Sequence, residues 1–111
     1  MLATVQSKLL ALSTALVSIP GLSVGHYFNY MKEGDYCVWA EDTEAESVHG
    51  DNIKQKQTLQ GTVDFFTKTE FNPKVDSIQN AMNTAEISWR LNSVQYEDET
   101  GYIHYEWVFE V

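Results

Sequence analysis

The chain has 111 residues, enough for one domain to bury a single core without disulfides or metals, and too few for two. Hydrophobic residues make up 43% and aromatics 13%, with six glycines and two prolines, which excludes a disordered or low-complexity chain and predicts one folded domain over residues 1–111. Sixteen Asp and Glu against seven Lys and Arg leave a net charge of −9; such a surface repels phosphate backbones and anionic lipids, and so argues against sequence-specific nucleic-acid binding and against membrane association.

Leu2, Val5, Leu9, Leu12, Leu16 and Ile19 recur at alternating three and four, with Thr4, Gln6, Lys8, Ser13 and Thr14 opposite. This predicts an amphipathic helix rather than a secretory leader, which needs no such periodicity. Ser, Thr and Pro20 interrupt the run too often for it to supply the about 20 apolar residues that cross a bilayer. Pro20 and Gly21 end the helix.

Leu22, Val24, His26, Phe28 and Tyr30 then alternate with Ser23, Gly25, Tyr27 and Asn29. With turn chemistry at Lys32-Glu33-Gly34-Asp35 and apolar residues from Tyr36 to Ala40, this predicts a first β-hairpin. The only cysteine, Cys37, lies among Tyr36, Val38 and Trp39 and reads as a small buried hydrophobe, in keeping with a reducing cytoplasm. Glu41 to Asp51 is nearly all polar and predicts an exposed loop.

Period two returns from Ile53 to Lys68. Gly61, Val63 and Phe65 fall on one face and Thr62, Asp64 and Phe66 on the other, which predicts one long third strand. Asn72-Pro73 begins a second helix as N-cap and first-turn proline. Val75, Ile78, Ala81 and Met82 form its apolar stripe, and Asn83-Thr84 closes it.

The clearest alternation is the last. Ile87, Trp89 and Leu91 precede the turn Glu97-Asp98-Glu99-Thr100-Gly101, and Ile103, Tyr105, Trp107, Phe109 and Val111 follow it on one face. An antiparallel hairpin with one wet face explains this, and that wet face is expected to hold Tyr96, Val94, Tyr102, His104, Glu106 and Val108. The fold class is thus α+β: a mainly antiparallel sheet of about five strands with two helices on one face, in the order α-β-β-β-α-β-β. Pattern alone does not fix strand order.

Motifs for chemistry are absent. His26, His49 and His104 have no second His or Cys at metal-binding spacing, and no phosphate loop, nucleophile elbow, CxxC, HExxH or EF-hand pattern occurs. Acid pairs such as Glu41-Asp42 and Glu97-Asp98-Glu99 lie in expected turns, where carboxylates stay hydrated and unsuited to acid–base work. No catalytic residue, cofactor or metal is therefore assigned. His104 beside Glu106 and Tyr102 is the one polar grouping suited to a contact, and Tyr96, Tyr102, His104 and Glu106 are the candidate subunit contact.

Several stretches have a familiar layout: the N-terminal helix, Tyr36 to Asp42 (YCVWAED) with its acidic loop, and Gln60 to Lys68 (QGTVDFFTK). Asn72-Pro73 with the short helix, Ile87 to Glu97 (ISWRLNSVQYE) and Ile103 to Val111 (IHYEWVFEV) complete it. The whole resembles the small tail-completion, or tail-terminator, proteins of long-tailed bacteriophages and prophages. That resemblance implies a non-catalytic subunit of a homo-oligomeric ring, commonly a hexamer. Such a ring caps the tail tube, contacts tail-tube and head-connector proteins, and resides in the virion after assembly in the host cytoplasm. It also implies that Glu41, Asp42, Glu44, Glu46 and Asp51 belong to an interface or channel loop, where acidity suits a lumen through which DNA slides. A second class of function is an acidic inhibitor or DNA mimic of a host enzyme, which requires a regular stripe of acids where these cluster in loops. A third, a small sheet-based enzyme, requires a pocket joining His26, His104 and a buried acid.

Overall fold

In the computed structural model, which describes residues 4–30, 33–44, 48–50 and 53–111, Thr4 opens the first helix by accepting a hydrogen bond from the Ser7 backbone N–H at 3.1 Å. This helix, α1 (Val5–Val17), is followed by β1 (Ser23–His26), β2 (Tyr36–Glu44), β3 (Val48–Gly50), β4 (Ile53–Lys56) and β5 (Leu59–Thr67). Then come α2 (Lys74–Thr84), β6 (Ser88–Glu97) and β7 (Tyr102–Glu110). The architecture is α+β, with a five-stranded sheet in the order β1-β2-β5-β7-β6 and a separate two-stranded ribbon of β3 and β4.

Both helices lie on one face of the large sheet. Leu9, Leu12, Leu16 and Ile19 from the first helical segment and Ile78, Ala81 and Met82 from α2 meet Cys37, Trp39, Val63, Phe65, Trp107 and Phe109 in one core. These are the residues that period three-to-four and period two place inward, so each element buries the face its sequence offers. Two indoles fasten α2 to the sheet. Trp107 Nε1 donates to Gln79 Oε1 at 3.0 Å, and Trp89 Nε1 donates to Asn83 Oδ1 at 2.8 Å. Gly61 is a point of close approach, because a Cβ there would lie 2.1 Å from the Ala40 carbonyl oxygen and 2.6 Å from the Phe109 ring.

Four expectations are corrected. The sheet is mixed rather than mainly antiparallel, because β1 runs parallel to β2 with Ser23 opposite Tyr36 and His26 opposite Trp39. No tight turn joins them: Tyr27 leaves β1 with φ 69, and Asn29 Nδ2 bonds to the carbonyl oxygens of Ser23 and Cys37 at 3.2 Å each, so the chain returns to the starting level before β2 begins. The predicted loop at Glu41 begins instead as strand, since β2 continues to Glu44 through a bulge between Glu41 and Thr43. The long third strand is two, β4 and β5, separated at Gln57-Thr58, with β4 paired to β3 rather than to the main sheet.

One polar node ties three elements together. Asp35, just before β2, accepts from Thr67 Oγ1 at 2.6 Å, from Asn72 Nδ2 at 2.9 Å and from Lys74 Nζ at 2.7 Å. Asn72 Oδ1 in turn accepts from the Lys74 backbone N–H at 3.0 Å, which caps α2 while Pro73 holds helical φ and ψ. Burial alone pushes the Asp35 carboxyl upward more than any other single influence, but the bonds from Lys74, Thr67 and Asn72 together with the Lys74 charge outweigh it and hold the group below its ordinary value. A carboxyl depressed in the folded state contributes stability above its unfolded pKa and loses it as pH falls through the folded value. Asp35→Asn is therefore expected to cost roughly 1–3 kcal/mol in urea unfolding at neutral pH and almost nothing at a pH low enough to protonate Asp35 in both the folded and the unfolded state. A cost that is the same at both pH values contradicts the charged node.

Candidate functional site

Among the described residues, the face of the sheet away from the helices is covered only at one border, by Tyr27, Phe28 and Asn29. By cross-strand register it carries Tyr36, Val38 and Ala40 from β2 and Thr62, Asp64 and Phe66 from β5. From β7 it carries Tyr102, His104, Glu106 and Val108, and from β6 Arg90, Ser93, Gln95 and Glu97. Most of these are half-buried rather than hydrated, so the face is a platform of β-branched and aromatic groups with a few charges set into it.

Toward the end where β2 begins and β5 finishes, three rings stand side by side on adjacent strands. Phe66 stacks on Tyr36 at 4.5 Å and on His104 at 4.2 Å, and the Tyr102 ring meets Tyr36 edge-on at 5.5 Å. Tyr102 is itself buried, its hydroxyl donating to the Gly34 carbonyl oxygen at 3.2 Å. His104 Nε2 lies 2.7 Å from Asp64 Oδ1 and Nδ1 lies 3.5 Å from Glu97 Oε2. Both ring nitrogens are thus turned to carboxylates, which hold the imidazole in place. The Asp64 hydrogen bond and the surrounding carboxylate charges of Asp64, Glu97 and Glu106 outweigh desolvation and raise its pKa.

The connection after β1 forms a wall. Tyr27, Phe28 and Asn29 stand beside Tyr36, Val38, Asp64, Phe66 and His104 around an open basin of about 440 Å³. Tyr27, Phe28 and Tyr30 are exposed, and Gly25 permits the close approach of this wall, because a Cβ there would lie 1.9 Å from the Phe28 carbonyl oxygen. At the far end of β1, His26 is stacked between Tyr27 at 4.0 Å and Trp39 at 3.9 Å, and its Nε2 lies 2.6 Å from Glu41. Glu41 is pulled upward by burial, but the bonds from His26, its own backbone and Tyr27 leave its carboxyl below the ordinary value.

The expected contact residues separate. Tyr102, His104 and Glu106 share the uncovered face, but Tyr96 does not: a bulge between Leu91 and Ser93 shifts the register, so Val94 pairs with Tyr105 and Tyr96 with Ile103 on the helix-side face. Glu41, Asp42 and Glu44 belong to β2, with Glu41 bonded to His26 and Glu44 accepting from Gln57 Nε2 at 3.1 Å. Glu46 and Asp51 lie outside the described residues. His26 and His104 belong to different clusters, each with its own carboxylate, and no described group of three His, Cys, Asp or Glu is arranged to hold a metal. No described helix is long and apolar enough to cross a membrane. Asp64, Tyr36 and Phe66 were not singled out from sequence, although Phe66 on the polar side of an alternating strand was a legible sign of a sticky outer face.

Compared with known proteins, the chain matches no family model and has no significant match among curated sequences.

A histidine whose folded pKa is raised contributes stability that is complete below its unfolded value, near 6.5, and is lost as pH rises through the folded value. NMR titration is expected to place the His104 midpoint above 6.5 in the native protein and to bring it down in Asp64→Asn. The same variant is expected to flatten the decline of stability on the alkaline side of that range. A His104 midpoint unaffected by Asp64→Asn contradicts the pairing.

Proposed function

We propose that the chain is a ring-forming structural subunit of the tail-terminator type, which caps the tail tube of a long-tailed phage and joins it to the head connector. Its role is assembly rather than catalysis. The observation that carries this reading is the one-sided architecture: both helices pack on one face, leaving, among the described residues, two sheet edges without a strand partner, β1 and β6, and an aromatic outer face. Open edges present unpaired backbone groups that a neighbouring copy completes, and head-to-tail contacts of that kind close into rings. The layout of segments described above adds the resemblance, and the −9 charge suits a channel that DNA traverses without adhering.

An acidic inhibitor or DNA mimic is the second reading, favoured by the same charge. Against it, several of its acids are engaged internally: Asp35 with Lys74, Asp64 with His104, and Glu41 with His26. Engaged carboxylates are poor copies of a regular phosphate array.

Sedimentation of the purified protein, alone and with purified tail tube, is expected to give a discrete closed oligomer of the 12.7 kDa chain, visible as rings by electron microscopy. Deletion of the gene is expected to give tails of irregular length that fail to join heads. A monomer under every condition, together with normal tails in the deletion, overturns the reading; salt-sensitive capture of a basic nuclease in its place favours the inhibitor.

A further inference from the structure

The uncovered face carries a charge arrangement that its own fold does not resolve. Asp64 and Glu106 are directly opposed on β5 and β7, and like charges at opposed positions destabilise a sheet. One imidazole, His104, sits beside them and is shared with Glu97. Among the described residues Asp64 Oδ2 accepts no hydrogen bond. Among the described residues Glu106 has no cation within ion-pair distance, Arg90 on the same face being bonded to Asn92 Oδ1 at 2.9 Å, and Glu106 Oε2 takes only long bonds from Asn92 Nδ2 at 3.4 Å and Ser93 Oγ at 3.3 Å. Around these carboxylates the platform is apolar, with Val38, Ala40, Phe66 and Val108, and the basin under Phe28 opens beside it.

We propose that this face is the docking surface for a partner protein that presents a basic, partly apolar segment, setting an arginine or lysine over Asp64 and Glu106 and an apolar side chain in the basin beside Phe28. Charge complementarity selects that occupant. A cation placed between two opposed carboxylates relieves their repulsion, and a chain of net charge −9 draws basic partners toward it at long range. A second copy is the wrong occupant for the same reason, since it brings another −9 to a face that already opposes two carboxylates. Size is adequate as well. Four strands of about nine residues, about 4.8 Å apart and rising about 3.3 Å per residue, with the shorter β1 beside them, make a face of roughly 600 Å², of the same order as the roughly 800 Å² each partner contributes to a stable interface. The inference goes beyond the ring reading, since neighbours in a ring meet through the sheet edges and leave this face for a different protein.

The test is backbone-amide NMR of the full chain titrated with a short peptide interleaving arginine and leucine. Controls are the same peptide with glutamate for arginine and an arginine–serine peptide of equal charge. The arginine–leucine peptide is expected to shift the amides of Val38, Asp64, Phe66, His104 and Glu106, and both controls are expected to bind at least about tenfold more weakly. Glu106→Gln leaves the His104–Asp64 pair intact and is expected to weaken binding several-fold; with Asp64→Asn added, the loss is expected to reach about tenfold or more. Shifts centred on the Glu97–Glu99 turn, equal binding of the arginine–serine peptide, or undiminished binding by the folded Glu106→Gln protein overturns the proposal. So does a concentration-dependent shift of the same amides without peptide, which assigns the face to a second copy. Oligomeric state is read separately by sedimentation, so failure of this proposal leaves the ring reading standing.

Discussion

Burial of Trp107 and Phe109 beneath the two helices sets the orientation of every other strand. Both are fully buried on β7, the last strand in the chain and an interior strand of the sheet, between β5 and β6. At about 1.5–3 kcal/mol for each large side chain removed from water, a register slip of one residue on β7 forfeits both together and turns Val108 and Glu110 toward the helices. Val63 and Phe65 on β5 and Cys37 and Trp39 on β2 share the constraint through direct cross-strand pairing. The indole bonds to Gln79 and Asn83 then fix where α2 lies along the sheet.

What is buried on one face determines what is left on the other. With period two enforced from the core side, Tyr36, Phe66 and His104 are set in one row across three strands, and Asp64 and Glu106 are brought into opposition. No residue of this outer group is needed to fill the core. The group includes opposed carboxylates and exposed aromatics at its border, features that lower rather than raise the stability of an isolated sheet. Residues that weaken a fold locally and lie together on one surface are the ground for the proposed contact with another molecule there.

Elements whose signals are local were legible in the sequence. The helical spacing of Leu9, Leu12 and Leu16, the Asn72-Pro73 start of α2 and the alternation through β5 and β7 all correspond to what is buried. The parallel pairing of β1 was not legible, because turn residues at Gly34 and Asp35 look the same whether the chain reverses there or crosses back. The deciding bonds run from Asn29 to Ser23 and Cys37, six and eight residues away. The bulge after Leu91 has no sequence mark stronger than an asparagine, yet it moves Tyr96 to the opposite face. His104 was visible as a polar group on a wet face, but its partner Asp64 lies 40 residues earlier, a distance that only the β5–β7 pairing closes.

The central claim, that one face of the sheet is sealed by the helices while the other stands open in the free protein, is tested most directly at two adjacent residues. Cys37 is fully buried on the helix side, where burial pushes its thiol well above the ordinary range, and Val38 faces the opposite way into the basin. Thiol-labelling rates under native conditions are to be compared for Cys37 in the natural chain and for the cysteine of Val38→Cys in a Cys37→Ala background. The account predicts that the second labels without unfolding, whereas Cys37 labels only as fast as the whole domain opens. Equal rates at the two positions, fast or slow, contradict it.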